Sequence, residues 1–406
     1  MTTEKLYEND SYITTFQATV LACVPANQVC AGQNGTKGGW ADESRGQWAI
    51  CLDRTAFFPE GGGQGADTGW LDESPVWDVQ IIDGALWHRT DLEAKEGQAL
   101  QGRIDWQRRF SNMQQHSGEH IFSGLTHRHF GYDNVGFHLG SQVVTMDFNG
   151  TLTQEDLDRI EWEVNEAIVK NVPISVSYPD RERLAAMEYR SKIEIDGQVR
   201  IITVEGYDVC ACCAPHVART GEIGLLKVVD HIKYKGGTRV SILCGFRALT
   251  DYREKLGAAR QISRALSVPA GEIAPAVEGK LEENARLRQK NVELTGRLIE
   301  QEVAQIPCGQ ENVWYFKEGL EAAAMRRAVN LALERVEKCA GVFCGDDKEG
   351  YKYIIGTRSG CGRELAKILK EKLEARGGGS PEMIQGFVAA GKSQIEAVLR
   401  EAAGNI

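Results

Sequence analysis

The order of hydrophobic and polar positions separates a β-rich first part of the chain from a longer part with helical patterns. Short apolar stretches bounded by turn residues, at residues 49–52, 79–82 and 84–88, predict strands. Helical patterns are scarce before residue 105, so a small β-barrel or a sandwich is the natural expectation here. Residues 31–47, rich in Gly, Asn, Lys and Ser, are expected to form a long hairpin loop.

Helix and strand patterns alternate between residues 105 and 248. Ser111 begins a predicted helix that continues to about residue 129, and Thr153 begins a second helix with a capping box. Alternating apolar positions at 174–178 and 240–244 predict strands. Helices on one face of a mostly antiparallel sheet make an α+β domain the expected arrangement.

The next segment, residues 249–305, is predicted to be helical and charged, with interruptions at Pro269 and Pro275. Its apolar positions follow a partly heptad spacing. This spacing fits either a seam between two helices or a helix packed on its own domain. The positions are Val277, Leu281, Leu287, Leu294 and Leu298.

Residues 306–406 form a further unit with strands predicted near 342–344 and 351–355 and a helix at 363–376. A sharp loop is expected at 376–379, and Ser380 before Pro381 predicts another helix start. The chain as a whole is therefore predicted to be α+β, with four parts at residues 1–104, 105–248, 249–305 and 306–406.

Composition excludes several classes of protein. The chain is 42% apolar and 26% charged, as globular proteins are, and its net charge of −10 excludes a uniformly basic surface but not a local basic patch. No apolar run approaches the roughly 20 residues that span a bilayer, and the polar N-terminus is unlike a signal peptide. Eleven cysteines, an odd number, favour thiols or metal ligands over disulfides. We expect a cytoplasmic protein.

The first candidate for chemistry is the pair His116 and His120 in the segment His-Ser-Gly-Glu-His. Side chains at i and i+4 lie on one face of a helix, so both imidazoles can bind one metal ion. Histidine pairs without a ligand also occur on helix surfaces, and the pair alone leaves both interpretations open.

The second candidate is the segment 210–216, Cys-Ala-Cys-Cys-Ala-Pro-His. Thiolate and imidazole are the ligands that zinc prefers, whereas cysteines without a ligand are often small buried hydrophobic residues. Cys212 and His216 have the four-residue spacing that complements the histidine pair in a tetrahedral site, and Cys210 and Cys213 remain alternates to Cys212.

The third candidate is the glycine loop, residues 58–69, Phe-Pro-Glu-Gly-Gly-Gly-Gln-Gly-Ala-Asp-Thr-Gly. Three consecutive glycines indicate backbone that other residues cannot adopt or a close backbone approach. The loop lacks the Gly-Lys-Ser/Thr of a phosphate loop, and no strand–helix unit surrounds it as in a dinucleotide site. By itself it would be a structural turn in most proteins.

Together, the glycine loop, the histidine pair, the Cys212–His216 segment with its following Thr-Gly-Glu-Ile-Gly, and residues 239–247 resemble the editing domain of alanyl-tRNA synthetase. The start of the chain, without an activating domain, is similar to the free-standing long-form AlaX family of alanyl-tRNA editing proteins. Residues 356–386 resemble the DHH-associated C-terminal domain of that family.

The resemblance implies a β-barrel, an α+β editing domain as in threonyl- and alanyl-tRNA synthetases, a helical linker and a C-terminal α/β domain. It implies hydrolysis of the ester between tRNA(Ala) and a wrong amino acid, chiefly serine and sometimes glycine. It places Thr55 and Gln64 near the amino-acid pocket and His138 in the lining of the editing site. The implied Zn²⁺ ligands are His116, His120, Cys212 and His216.

Two further roles follow from the chemistry of ester hydrolysis. Glu119, on the same helix face as His116, is the candidate general base, although it would otherwise orient a histidine or face solvent. Thr55 or Gln64 can supply the hydrogen bond that a serine hydroxyl satisfies and alanine does not, and each is otherwise an ordinary turn or strand residue.

Contact with tRNA calls for a local basic surface. The stretch from residue 351 to residue 376 contains seven Lys and Arg residues and three Glu residues. Its net charge is therefore +4, in a chain whose net charge is −10. Arg108 and Arg109 are a second candidate surface for the acceptor end. The apolar positions from Val277 to Leu298, which we call the leucine stripe, predict a homodimer that forms through residues 277–406.

Two other functions explain part of these features. His116-Ser-Gly-Glu-His120 also fits the His-x-x-Glu-His pattern of a zinc metallopeptidase, which needs a downstream carboxylate as third ligand. A non-catalytic, zinc-stabilised tRNA-binding module is favoured if four protein ligands close the site and no water coordinates the metal.

Overall fold

The structure, a computed structural model, describes residues 2–29, 40, 45–191 and 197–403. It separates into two compact units, Met1–Ala258 and Ala259–Ile406. The four predicted parts divide the chain more finely than this, and their boundaries stay predictions. Most of the predicted loop 31–47 lies outside the described residues. Of the helices in the described part, none combines the length and hydrophobicity that a membrane crossing requires.

The first part of the chain forms a closed barrel of six strands in the order β2-β3-β7-β6-β5-β8. Phe16, Ala18 and Val20 alternate inward with polar residues outward, which makes a strand where no apolar run is visible. The short helix α1 spans Leu6–Asn9. The strands are β1 (Glu4–Lys5), β2 (Thr15–Pro25), β3 (Trp48–Leu52), β4 (Arg54–Thr55), β5 (Gly69–Leu71), β6 (Ser74–Ile82), β7 (Ala85–Thr90) and β8 (Ala99–Ile104).

Helix α2 (Trp106–Phe130) follows the barrel and begins five residues before the predicted start at Ser111. The prediction of the start was wrong because Asp105 caps this helix, its carboxylate accepting a hydrogen bond from the backbone N–H of Arg108 at 3.2 Å. Gly131, with φ of +69°, ends the helix in the left-handed conformation. Sixteen of the 25 residues of α2 are buried.

The remainder of the first unit confirms the α+β class. Thr153 and Asp156 form the predicted capping box at the start of α3. Sheet order is β14-β15-β10-β9, all antiparallel, with β11-β12-β13 as a second sheet. The elements are β9 (Asn134–Leu139), β10 (Val144–Phe148), α3 (Gln154–Lys170), β11 (Ile174–Ser177), α4 (Arg181–Ala185), β12 (Ile201–Val204), β13 (Asp208–Ala211), β14 (Leu226–Tyr234), β15 (Gly237–Cys244) and α5 (Gly245–Leu266).

A buried ion pair joins α2 to the barrel. The Arg109 guanidinium donates to Asp67 through Nε at 2.9 Å and through Nη2, and also to the Ser11 carbonyl at 2.9 Å. Arg109 is fully buried. The prediction that Arg109 contacts the acceptor end of tRNA is therefore wrong, since all three guanidinium nitrogens donate hydrogen bonds within the protein.

The second unit is a five-stranded sheet in the order β16-β17-β18-β20-β19 with helices. The first pair is parallel and the others are antiparallel. The elements are α6 (Ile273–Ala304), β16 (Gln310–Lys317), α7 (Ala322–Leu333), β17 (Val336–Asp346), β18 (Gly350–Thr357), α8 (Gly362–Leu373), β19 (Arg376–Gly379), β20 (Met383–Val388) and α9 (Lys392–Ala403).

Three local predictions in this half of the chain were wrong. Pro275 lies inside α6 rather than interrupting it, because the first turn of a helix has no use for its missing N–H. Residues 376–379 form the edge strand β19, not a loop. Ser380 turns the chain between β19 and β20 instead of starting a helix, its Oγ accepting from the Met383 N–H at 3.2 Å.

Candidate metal centre

Three histidines and a cysteine meet in the first unit. Helix α2 carries His116 and His120 one turn apart, and the segment after β13 carries Cys212 and His216. One nitrogen or sulfur atom from each of the four side chains lies within 4.8 Å of the other three. The structure thus brings together the four residues that the sequence predicted as ligands, which we call the His₃Cys cluster.

The imidazole rings of the cluster turn their Nε2 atoms toward the sulfur. His116 Nε2 lies 3.6 Å from Cys212 Sγ, and His216 Nε2 lies 3.4 Å from it. The His120 ring is 5.3 Å from that of His116 and 4.6 Å from that of His216, centroid to centroid. The donor atoms converge on one point, as a tetrahedral metal site requires.

Each imidazole also forms a hydrogen bond through Nδ1, the ring nitrogen that points away from the centre of the cluster. His116 Nδ1 lies 2.9 Å from Gln64 Oε1, His120 Nδ1 lies 2.9 Å from Asp208 Oδ2, and His216 Nδ1 lies 3.1 Å from Ser117 Oγ. An oxygen acceptor at Nδ1 fixes the tautomer that leaves Nε2 with its lone pair toward the centre. Such partners orient metal-binding histidines and raise their basicity.

The electrostatics of the cluster fit a metal ion. Burial raises the pKa of the Cys212 thiol, but His116 and the other two imidazoles outweigh it and hold that pKa well below its ordinary value. Burial, followed by the charge of His120, lowers the pKa of His216 to about 3. The Cys212 thiolate and the neutral imidazole of His216 are in the protonation states that zinc binding needs.

Asp208 connects this cluster to a second ion pair. Burial alone would lower the pKa of His120, but the hydrogen bond that it donates to Asp208 and the nearby thiols raise that pKa well above its usual value. Arg190 donates to both carboxylate oxygens of Asp208, through Nε at 2.7 Å and Nη2 at 2.9 Å. The carboxylate is thereby fixed between one cation and the ring it orients.

The glycine loop explains how Gln64 reaches His116. The carbonyl of Gly63 accepts from the Leu139 N–H at 2.7 Å, and Gln64 bridges to Leu139 as in a parallel sheet. A Cβ atom on Gly63, whose φ is +83°, would collide with the carbonyl of Phe137. The loop therefore needs glycine there to lie against β9 and to deliver the amide of Gln64 to the cluster.

Gln64 is fully buried, and its Nε2 has no hydrogen-bond partner among the described residues. Its Oε1 is committed to His116. An unpaired buried donor costs about 1–3 kcal/mol, and this amide is free to donate to a further polar group.

Glu119 is buried, so the alternative in which its side chain faces solvent is wrong. Its Oε1 accepts from Ser123 Oγ at 2.7 Å and from Asn134 Nδ2 at 2.6 Å, and its Oε2 lies 4.0 Å from His120 Nε2. The carboxylate thus points at the side of His120 that faces the centre. Its role as a base stays a prediction.

The other two predicted catalytic residues have no described hydrogen bond to the cluster. Thr55 is fully buried, and its Oγ1 lies 2.8 Å from His88 Nε2; since His88 Nδ1 donates to the Ile50 carbonyl, Thr55 donates to Nε2. His138 is exposed on β9, while its neighbour Phe137 packs on His116 with ring centroids 4.9 Å apart. Their proposed roles stay predictions.

The alternates to Cys212 lie elsewhere. Cys210 is buried beside His120 and Asp208, in a second grouping that shares His120. Burial raises the pKa of its thiol to about 11, so it is a poor ligand at neutral pH. Cys213 is exposed and belongs to neither grouping in the described part of the chain.

The sequence did not predict Asp208 and Ser117, which orient His120 and His216, or Asn134, which donates to Glu119. Asp208, Ser117 and Asn134 carried no spacing signal of their own. The available signal was indirect: Ser117 adjoins His116 on a helix with many polar residues, and Asp208 precedes the cysteine segment. Their roles become apparent only when the ring orientations are known.

Two family models match the chain. The model described as the threonyl and alanyl tRNA synthetase second additional domain matches residues 199–241, and the model described as tRNA synthetases class II (A) matches residues 2–108. The first match contains Cys212 and His216, and the second contains the glycine loop.

Curated relatives match over most of the chain. The alanyl-tRNA editing protein Aarsd1 of Danio rerio is 27% identical over 97% of this chain and 96% of its own length. The alanyl-tRNA editing protein AlaX-L of Pyrococcus horikoshii is 28% identical, over 85% of this chain and 89% of its own length. Aarsd1 of Mus musculus is 30% identical, over 70% of this chain and 69% of its own length.

Proposed function

Since this chain belongs to the family of alanyl-tRNA editing proteins, we propose that it is a zinc-dependent deacylase that removes serine, and also glycine, from mischarged tRNA(Ala). The reaction is hydrolysis of the ester between the amino acid and the terminal ribose. The protein would act in trans on tRNA charged elsewhere, in the cytoplasm.

The observation that carries the proposal is the convergence of one thiolate and three imidazole nitrogens, with each imidazole oriented by its own hydrogen-bond partner. His116, His120, Cys212 and His216 would hold the zinc ion. When bound, it supplies a Lewis acid beside the ester carbonyl.

Glu119 takes the part of general base in this proposal. Its Oε1 is fixed by Ser123 and Asn134, which leaves the orientation of Oε2 toward the centre well defined. A water molecule there gives its proton to Glu119 while its oxygen attacks the carbonyl carbon. The ribose oxygen then leaves with a proton, and the products are free amino acid and tRNA.

We assign discrimination between serine and alanine to Gln64 rather than Thr55. The Gln64 Nε2 donor is buried and unpaired among the described residues, so a serine hydroxyl that accepts from it satisfies a group that alanine leaves unsatisfied. Thr55 already gives its proton to His88. His138, exposed at the edge of β9, is proposed as part of the lining.

The test compares hydrolysis of Ser-tRNA(Ala) and Ala-tRNA(Ala) by the wild type and Cys212→Ala, with zinc content measured on both proteins. We expect the wild type to hydrolyse the serine ester and spare the alanine ester, and Cys212→Ala to lose both zinc and activity. Cys213→Ala is the matched control, because its exposed thiol lies outside the cluster. Equal hydrolysis of the two charged tRNAs by the wild type would refute the editing assignment.

A zinc peptidase and a non-catalytic binding module remain the rivals. The peptidase is disfavoured because Cys212 and His216 occupy the place of its carboxylate ligand. Incubation with unstructured peptides, with and without a chelator, separates it from an ester hydrolase. The binding module gains if the zinc-loaded wild type binds tRNA(Ala) and hydrolyses none of its esters.

The C-terminal half is proposed to bind tRNA and to pair two chains. All seven basic side chains between residues 351 and 376 are exposed, which suits contact with phosphates. The leucine stripe of α6 is exposed as well, with Leu281 at 66% and Leu298 at 61%. We assign residues 306–406 to the DHH-associated domain. Sedimentation of the wild type and of Leu281→Glu tests the dimer: two monomers would exclude it.

A further inference from the structure

A cavity of 1030 Å³ opens in the first unit where helices α2 and α5 begin. Arg108 reaches its wall from the first turn of α2, and Arg247 from the first turn of α5. The aromatic rings of Trp106, Phe110 and Phe246 line the same cavity. Phe246 is 70% exposed, which is unusual for a ring of this size.

The two guanidiniums bind neutral acceptors. Arg108 Nε donates to the Ala66 carbonyl at 3.1 Å, and Arg247 donates to Ser111 Oγ (2.8 Å), the Gly140 carbonyl (2.9 Å) and Asn112 Oδ1 (2.8 Å). In the described part of the chain, no carboxylate is within salt-bridge distance of either guanidinium.

Carboxylates do lie on the wall of the cavity, at Asp105, Asp251 and Glu254. Asp105 caps α2, and Asp251 pairs with Lys255 at 2.8 Å. Burial, followed by the charge of Arg108, lowers the pKa of Arg247. Two neighbouring guanidiniums whose hydrogen bonds go only to neutral acceptors form a favourable binding site for an anion.

Both arginines hold the segments that flank Gln64. Ala66, the acceptor for Arg108, is two residues after Gln64 in the glycine loop. Gly140, an acceptor for Arg247, follows Leu139, whose N–H binds the Gly63 carbonyl. An anion on these guanidiniums would therefore lie beside the loop that delivers Gln64 to the His₃Cys cluster.

We propose that Arg108 and Arg247 form a phosphodiester subsite for the single-stranded 3′ end of the charged tRNA, with Phe246 as a stacking platform for a base. The inference rests on the proposed function, because it is the ester at this 3′ end that must reach the cluster. Planar guanidiniums match phosphate oxygens, and stacking on an aromatic ring tolerates any base.

The test uses Arg108→Gln in the full chain, since Arg108 has one hydrogen bond to lose whereas Arg247 anchors three groups. We expect KM for Ser-tRNA(Ala) to rise roughly fivefold, with a much smaller change for the seryl ester of adenosine, which has no phosphate. The slope of log affinity against log salt should shrink by about one. Phe246→Ala should weaken binding of uncharged tRNA(Ala) roughly fivefold or more.

Arg128→Gln is the matched control. Arg128 is exposed on the same helix, and its described hydrogen bonds also go only to carbonyls, those of Gly206 and Tyr207. It lies 20 residues from Arg108, or about 30 Å along the helix axis. We expect KM and the salt slope of Arg128→Gln to equal those of the wild type.

Three results would overturn the subsite: equal effects of Arg108→Gln and Arg128→Gln, an unchanged KM for tRNA, or an equal loss on the adenosine ester. If the wild type hydrolyses neither ester, the proposed function fails. Binding of uncharged tRNA(Ala) then still decides the subsite, because Arg108→Gln should weaken it and Arg128→Gln should not.

Discussion

Helices α2 and α6 are the two longest in the described part of the chain, with 25 and 32 residues, and they bury different kinds of side chain. Most of α2 is buried, including histidines, glutamines and an arginine. In α6 only Gly296, Ile299 and Val303 are buried, while its leucines are exposed. The helix that buries more polar side chains is the one that carries His116 and His120 of the His₃Cys cluster.

This difference in burial shows which contacts stabilise each helix. Many buried polar groups of α2 are satisfied from other elements, although Gln114 Oε1 has no partner among the described residues. Gln115, for example, bonds both the N–H and the carbonyl of Cys244, at 2.7 and 2.9 Å. Buried polar networks of this kind are rigid when complete and costly when broken. Helix α6 is supported by local pairs such as Glu293 with Arg297. Changes in α2 should therefore have large effects and changes in α6 small ones.

The largest effect is expected at the buried ion pair of α2. Arg109→Ala leaves Asp67 charged and buried without its cation, and we expect the free energy of unfolding to fall by about 3–5 kcal/mol. Arg297→Ala on α6 removes an exposed pair and should change it by less than about 0.5 kcal/mol. Urea denaturation of both variants measures this, and losses of similar size would remove the contrast between the helices.

A second effect extends the contrast to a buried histidine of the barrel. Burial lowers the pKa of His88 to about 4, against 6.5 for an exposed histidine. Between pH 6.5 and 4 the unfolded chain takes up this proton and the folded chain does not, so stability is full above pH 6.5 and falls as the pH is lowered. The expected contribution is about 3 kcal/mol.

The variant His88→Gln isolates this contribution from that of other titrating groups. Its free energy of unfolding, measured from pH 7 to pH 4, should fall less steeply than that of the wild type by about 3 kcal/mol. Parallel pH profiles for the two proteins would show that His88 is protonated in the folded chain as readily as in the unfolded one.

The third prediction concerns Asp208, which lies outside α2 and accepts a hydrogen bond from His120 Nδ1. Asp208→Asn keeps the shape but weakens the acceptor at His120 Nδ1, so we expect zinc affinity to fall about 10–100-fold. Competition with a chromophoric chelator measures this without reference to catalysis. Asp230→Asn, on the exposed surface of β14, is the control, and an equal affinity in all three proteins would contradict the orienting role.

That the four side chains of the His₃Cys cluster could share one metal ion was predictable, because the relevant residues lie at short spacings. His116 and His120 are one helical turn apart, and Cys212 and His216 are four residues apart, so each pair could be recognised within its own segment. The α+β class and the capping box of Thr153 were predictable for the same reason, since periodicity and caps are local features.

The partners of the ligands were not predictable, because they come from distant segments. Asp208 is 88 residues from His120 and Gln64 is 52 residues from His116. The start of the helix at Asp105, the burial of Arg109 and the turn at Ser380 were misjudged on similar grounds. A cap, a charged side chain or a Ser-Pro pair fits more than one structure until tertiary contacts decide.

The smallest effects, and a difference of sign, are expected at two glycines. In α2, a Cβ atom on Gly118 would collide with Cys244 Sγ and press on Leu226, because the helix is packed closely against β14 and β15. Gly118→Ala should therefore cost at least roughly 1 kcal/mol through overpacking. In α6, a Cβ atom on Gly279 meets no described atom within 4 Å, and Gly279→Ala should stabilise the helix by about 0.5–1 kcal/mol. Thermal denaturation should show a lower melting temperature for Gly118→Ala and a higher one for Gly279→Ala. A higher melting temperature for both variants would mean that α2 is packed less closely against β14 and β15 than the structure shows.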